Sequence, residues 1–401
     1  MPNTLLTPTA VTREALRVLH QKLNFVGSIT REYDDSYAKE GAKIGDSLKI
    51  RLPNQYTVGD GATITPQDTT ESSVTLQVST QKHVPMSFTS AELTLSMDDF
   101  SERIIEPAVS VLAAKIEADV LSNVYKDVYN QVNNHGASAT FNKVLQARKM
   151  LVDNLAPIND RQVCLNTQDN VDMVDALKGL FNAQETISKQ NREGVLGKTA
   201  GFTFAENTLL PSHTRGAATT AYTTSTQVGA LPVAATPVAA ITVATGTGAM
   251  NKGDVFTIAG VFRVHPETKA STGTLQQFVV ATDYVGGAGS VTISPAIVLA
   301  GAAQNVVIPS TSATASLSFA GTISTASGIS LAYQKGAFAF ATADLVLPKG
   351  LDFAARETHD GISMRILRDF DITNDKLITR VDVLYGYKTL RPQLAARLAN
   401  N

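Results

Sequence analysis

Residues 99–131 read DFSERIIEPAVSVLAAKIEADVLSNVYKDVYNQ. Ile105, Val109, Leu112, Ile116, Val120, Val124 and Val128 recur three or four apart, which places one apolar stripe along a helix. Asp99, with Glu102 three residues on, has the form of a capping box, and Gly136 stands just past the far end. Unbroken, this helix spans roughly 50 Å at about 1.5 Å per residue, the length of a whole domain. Pro107 removes a backbone donor, so it either starts the main helix or kinks it. Lys115, Glu117, Asp119, Lys126 and Asp127 point mostly away from the stripe, toward solvent or a neighbouring copy. Such a helix suits the spine of a flat, extended subunit; the periodicity equally fits a core helix of a large enzyme.

The 401 residues accommodate two or three domains with sizeable cores. A formal net charge of -2 supplies no global basic field for nucleic acid or an anionic membrane. A lone cysteine, Cys164 in RQVCLN, excludes an intrachain disulfide and reads as a small core residue of a buried strand. The opening MPNTLLTPTAVTREAL lacks the basic region and apolar run of a signal peptide, and no stretch of about 20 apolar residues predicts a membrane span. A soluble protein made in a reducing compartment is expected.

Outward from the helix, both sides change character. Residues 12–25 predict one short amphipathic helix in an N-terminal segment too small to bury much, expected to lie on something else. Lys43–Pro53 and Ser73–Val84 alternate apolar and polar residues around the turn-rich NQYTVGDGATITPQDTTES, which predicts a long β-hairpin with Lys49, Arg51 and Lys82 on its polar faces. A two-stranded ribbon is marginal alone and needs a neighbour to lie on. A short helix is expected within 90–100. A helix at 139–155, a strand at 161–166 and a helix at 169–181 capped by Asp169 predict an α+β unit, followed by a polar loop at 183–216. From Ala217 to about Ser330 the only charged residues are Lys252, Asp254, Arg263, Glu267, Lys269 and Asp283. After a low-complexity lead at 217–240, the runs AITVAT, DVFTIAG, QQFVVAT, SVTISP, NVVIP and ASLSFAG predict an inserted all-β barrel or sandwich. ISMRILRDFDI and KLITRVDVLYGYKTL then alternate as paired strands.

The chain offers little catalytic chemistry. Gly197-Lys198-Thr199 ends like a phosphate loop, but Arg192 stands where its first glycine belongs and no apolar strand precedes it. GTGAMNKG at 246–253 opens no helix. The six histidines lack metal-ligand spacing, and no G-x-S-x-G elbow occurs. No catalytic, cofactor-binding or metal residue is nominated, and no cofactor is expected.

Lys252-Gly253-Asp254-Val255-Phe256-Thr257-Ile258-Ala259-Gly260-Val261, then Gln277-Phe278-Val279-Val280 and Thr292-Ile293-Ser294-Pro295, resemble the insertion domain of one family, and Tyr385-Gly386 with Arg391-Pro392 resembles its closing strand and tail. By these residues and the order of its elements, the chain resembles the P22-type bacteriophage major capsid (coat) proteins, a branch of the HK97-like capsid fold. The resemblance implies an α+β chain with an N-terminal arm (1–42), an extended β-hairpin loop (43–86) and a peripheral domain (87–155) carrying the spine helix 99–131. It implies an axial domain in two parts (156–216, and 331–401 with the peripheral domain's return strands) around the inserted β-barrel (217–330). The implied function is an icosahedral shell enclosing a phage genome, without enzymatic activity or Lys–Asn crosslinks. The implied partners are copies of itself in pentamers and hexamers, a scaffolding protein, a portal protein at one vertex and packaged double-stranded DNA held without sequence specificity. A decoration protein is left open, and no membrane is involved. The protein would be found in the virion, after assembly in the bacterial cytoplasm.

Within that reading, Lys43, Lys49, Arg51 and Lys82 are expected to pair with Glu102, Glu106, Glu117 or Asp119 of a neighbouring subunit. The rivals are another self-assembling protein, encapsulin-like or tail-tube, and an enzyme with a carbohydrate-binding module at 217–330.

Overall fold

The computed structural model describes residues 8–31, 47–58, 61, 66, 71–89, 106–177, 197–219, 222–225, 237–309, 314–348, 350, 351, 353–359, 362–371 and 376–400. The chain divides into two compact units, one of residues 1–51, 73–120 and 338–390, the other of residues 52–72, 121–337 and 391–401. Residues 121–155, expected with the peripheral domain, therefore belong to the second unit, with the barrel and the last residues.

The first unit is built on a five-stranded antiparallel sheet. Its strands are β3 (Thr80–Thr89), β17 (Phe338–Ala343), β18 (Phe353–His359), β19 (Ile362–Asp371) and β20 (Lys376–Thr389). The order is β17-β20-β19-β18, with β3 also pairing β20. The expected pairing of the last two long strands is present, Ile366 opposite Val381. The side-chain period of two gives the sheet two apolar faces. On one, Leu384, Ala339, Ala341 and Ala343 pack with Ile50 and Leu76 of the ribbon formed by β1 (Ser47–Arg51) and β2 (Ser73–Gln77), and with Val78 just after it. The other carries Val381, Val383 and Tyr385, all buried.

Two expectations for this unit are corrected. Ser73–Val84 is not one hairpin strand: β2 ends at Gln77, and from Thr80 the chain joins the sheet as β3, with Val84 opposite Val381. The ribbon crosses β20 so closely that a Cβ on Gly386 would collide with the carbonyl oxygen of Gln77. The N-terminal segment, in turn, lies on its own sheet. The helix α1 (Pro8–Lys22) packs on β18 and β19 and buries Val11, Ala15, Leu16, Val18 and Leu19. A second short helix, α2 (Phe25–Ser28), follows, and Thr30 then bridges to β17, Phe340 N–H donating to its carbonyl at 3.2 Å.

The spine helix, α3, is described over Glu106–Val124, about 28 Å at ~1.5 Å per residue. The expected 99–131 span is corrected at its end. A 3-10 turn at Tyr125–Asp127 follows, and Gln131–Asn133 is a strand, β4. The apolar period runs on to Val128, but Val128 is extended and fully buried. Residues 99–105, with the Asp99–Glu102 box, lie outside the described residues, as does the short helix expected at 90–100.

The second unit holds a mixed sheet of β5 (Arg161–Leu165), β6 (Lys198–Thr199), β7 (Phe202–Glu206), β16 (Ala326–Gln334) and β21 (Ala395–Ala399), in the order β4-β21-β16-β5-β7-β6. Residues 198–214 thus contain strands where a loop is expected. The helix α4 (Phe141–Asp153) lies against β21, β16 and β4. The helix α5 (Thr167–Leu177) begins with Asn166, whose Oδ1 accepts the Asp169 N–H at 2.7 Å. Asn166 is therefore the cap; Asp169 turns inward and is fully buried.

The inserted module is a closed barrel. Its strands are β9 (Thr223–Thr224), β10 (Val238–Thr245), β11 (Val255–Val264), β12 (Ser271–Val280), β13 (Gly289–Ile297), β14 (Val306–Val307) and β15 (Leu317–Phe319). They pair in the order β11-β12-β13-β10-β9, with β14 and β15 also on β11. Thr224 N–H donates to Ala315 O and Leu317 N–H to Tyr222 O, both at 2.9 Å, so β9 meets β15 and the ring has no free edge there. The interior holds Tyr222, Ile241, Val243, Phe256, Ile258, Phe278, Val291, Ile293 and Leu317. The strand β8 (Ser212–Thr214) leads in and pairs antiparallel with β16, His213 opposite Ser327, as the chain leaves. The barrel proper ends at Phe319, and residues 326–330, expected within the insert, belong to the body sheet.

Candidate assembly surface and barrel junction

The ribbon positions its charges by strand alternation. Leu48 and Ile50 face the sheet, paired with Leu76 and Val74; Lys49 and Arg51, opposite Thr75 and Ser73, are exposed on the other side. Beyond them Tyr56 and Val58 are also exposed. Lys82 does not share this surface. It lies half-buried on β3, opposite Val383.

The nominated acids are differently engaged. Glu117 is buried, and its Oε1 accepts the Phe25 N–H at 3.0 Å, fixing the start of α2 to α3. Asp119 Oδ2 accepts the Tyr385 hydroxyl at 2.7 Å, and burial followed by this hydrogen bond pushes the Tyr385 phenol far above its usual range. Both are therefore internal ties and not ready partners for another subunit. Glu106 is half-exposed in the first described turn of α3. Lys43 and Glu102 lie outside the described residues.

A second constellation converges where the barrel leaves the body. His213 on β8 lies between the Tyr125 hydroxyl, 3.1 Å from Nδ1, and Asp254 Oδ1, 2.9 Å from Nε2. Asp254 also accepts the N–H groups of Gly216 at 3.0 Å and Asn251 at 2.9 Å, which shapes the Lys252-Gly253-Asp254 turn. Arg397, fully buried, donates from Nη2 to Gly253 O at 2.9 Å and lies 5.8 Å from the Tyr125 ring centre. Burial brings its guanidinium down to about 10 and raises the Tyr125 phenol. A tyrosine, histidine and aspartate in line resemble a nucleophile and its base. Here the histidine and aspartate side chains are 12% and 1% exposed, so the group is enclosed and acts as a joint.

Further ties run from barrel to body. The Gln277 amide accepts the Gln131 N–H at 2.8 Å and donates to the Gln131 carbonyl at 2.9 Å, serving the edge strand β4 as a partner strand would. Arg263 meets Asp153 of α4 at 3.0 Å. Sequence reasoning marked the Gly253-Asp254 turn but not its partners, which are distant in the chain.

A comparison with curated proteins found no match. Among solved structures, the chain is similar to that of Mycobacterium phage Che8, at 10% identity over 94% of this chain and 90% of that one, TM-score 0.47. It is similar to the bacteriophage PhiM1 mature capsid at 11% identity over 92% and 84%, TM-score 0.44. It is also similar to the SrpI encapsulin of Synechococcus elongatus, at 9% over 88% and 81%, TM-score 0.41. At these scores the likenesses add nothing to a family match. That match is to the model described as P22 coat protein, gene protein 5, and covers residues 18–397. The chain belongs to the P22 coat protein family and is a phage major capsid protein, a structural subunit of the shell.

Proposed function

We propose that the outward face of the β1–β2 ribbon is the contact by which one copy grips the next in the shell. The observation that carries this is the alternation in β1. Its apolar side is spent on its own sheet, while Lys49 and Arg51 are exposed. Of the acids nominated as the neighbour's contribution, Glu106 is half-exposed and Glu102 extends the same proposal, as Lys43 does on the basic side. Repeated contacts of this kind close rings of five and six. A scaffolding protein during assembly, a portal protein at one vertex, a decoration protein outside and assembly in the bacterial cytoplasm extend the reading by family. DNA inside is held without sequence readout, in keeping with a net charge of -2.

Electron microscopy of the purified protein, with and without a scaffolding protein, tests the reading. Closed shells are expected; tubes or persistent monomers under both conditions would contradict it.

A further inference from the structure

His135 lies in the turn after β4 and touches both sides of the barrel's stem. Its Nδ1 is 2.8 Å from Ser327 Oγ, at the start of β16, and its Nε2 is 3.0 Å from Gln131 Nε2. The same Gln131 nitrogen donates to Asn133 Oδ1 at 3.0 Å, which makes it the amide NH2. His135 Nε2 must therefore be an acceptor, and Nδ1 carries the proton given to Ser327. Gly321, at the barrel's exit, leaves room for the ring: a Cβ there would stand 2.9 Å from His135 Cε1.

We propose that His135 is an acid-sensitive catch on the barrel's stem: neutral, it ties β16 to the edge strand β4; protonated, it sets one donor against another and the stem loosens. The charge around it works the same way. The groups acting on His135 are His213 and Arg215 from β8 and its continuation and Arg397 from β21; burial first, and then these neighbours, hold it below the ordinary histidine value. The nearby carboxylate, Asp254, is already engaged by His213. Asp127 is 3.9 Å from Lys252, and Tyr125 completes the cluster. Stability that depends on the neutral ring is whole above an unfolded value of about 6.5 and is lost as pH falls below it.

Hydrogen exchange of the full-length protein between about pH 7.5 and 5, corrected for intrinsic rates, reads the catch at residues 321–328. Protection is expected to fall severalfold across this range, because the fold favours the neutral ring. In His135→Asn, which keeps a donor for Ser327 and cannot titrate, the fall should vanish. Unchanged protection in the native protein, or an equal fall in the variant, would overturn the proposal. If the variant does not fold, the ring resonances of histidine-labelled native protein decide. A His135 that titrates below the ordinary value, in step with exchange at 321–328, supports the catch; titration at the ordinary value without that change overturns it.

Discussion

Asp169 is fully buried in α5, with Oδ2 accepting Ser330 Oγ at 2.5 Å and Asn400 Nδ2 at 2.7 Å. Burial outweighs these bonds and raises its carboxyl above the usual aspartate range. A raised carboxyl favours the fold while protonated, and that contribution is lost as pH rises through the folded-state value. Asp169→Asn keeps the acceptor and removes the charge. Its urea midpoint should exceed the native one at neutral pH, and the gap should close as pH falls into the aspartate range; a gap independent of pH would count against this. Gly386→Ala forces a methyl onto the Gln77 carbonyl and should cost about 1–3 kcal/mol in urea unfolding, as overpacking does. Gly386 and Asp254 were legible in the sequence as members of family motifs. His135, Arg397 and Gln277 were not, because each acts on a partner more than a hundred residues away.

Among the elements, strands were read more surely than ends. Each β run named in the insert is a strand of the barrel, since alternation and turn residues are local signals. The end of the spine was misjudged because apolar period cannot register tertiary competition: Gln131 is claimed as strand by Gln277. The N-terminal helix was expected to lie elsewhere for want of visible area, yet it packs on β18 and β19, strands made from residues beyond 350. Two substitutions test these attachments by chemical unfolding. Glu117→Ala leaves the buried Phe25 N–H without this acceptor and should cost about 1–3 kcal/mol while exposing the first thirty residues to protease. Leu76→Ala opens a cavity under the ribbon and should cost about 2–5 kcal/mol. Loss of less than half a kcal/mol in either would mean that the element is not held as described.

For the whole molecule, function was legible from the order of parts, since no single site carries it. The order of the elements carried the resemblance, and the family match spans residues 18–397. The charges nominated for contact between copies were only partly legible: strand alternation marked Lys49 and Arg51 as exposed, whereas Glu117 and Asp119 are engaged in contacts that only folding reveals. On our proposal, the exposed basic face of the ribbon is the contact through which copies join. The most direct test is Arg51→Glu combined with Lys49→Glu, followed by circular dichroism and by sedimentation velocity under shell-forming conditions. Native-like spectra with material remaining as free subunits are predicted; shells forming at the native yield would contradict the account.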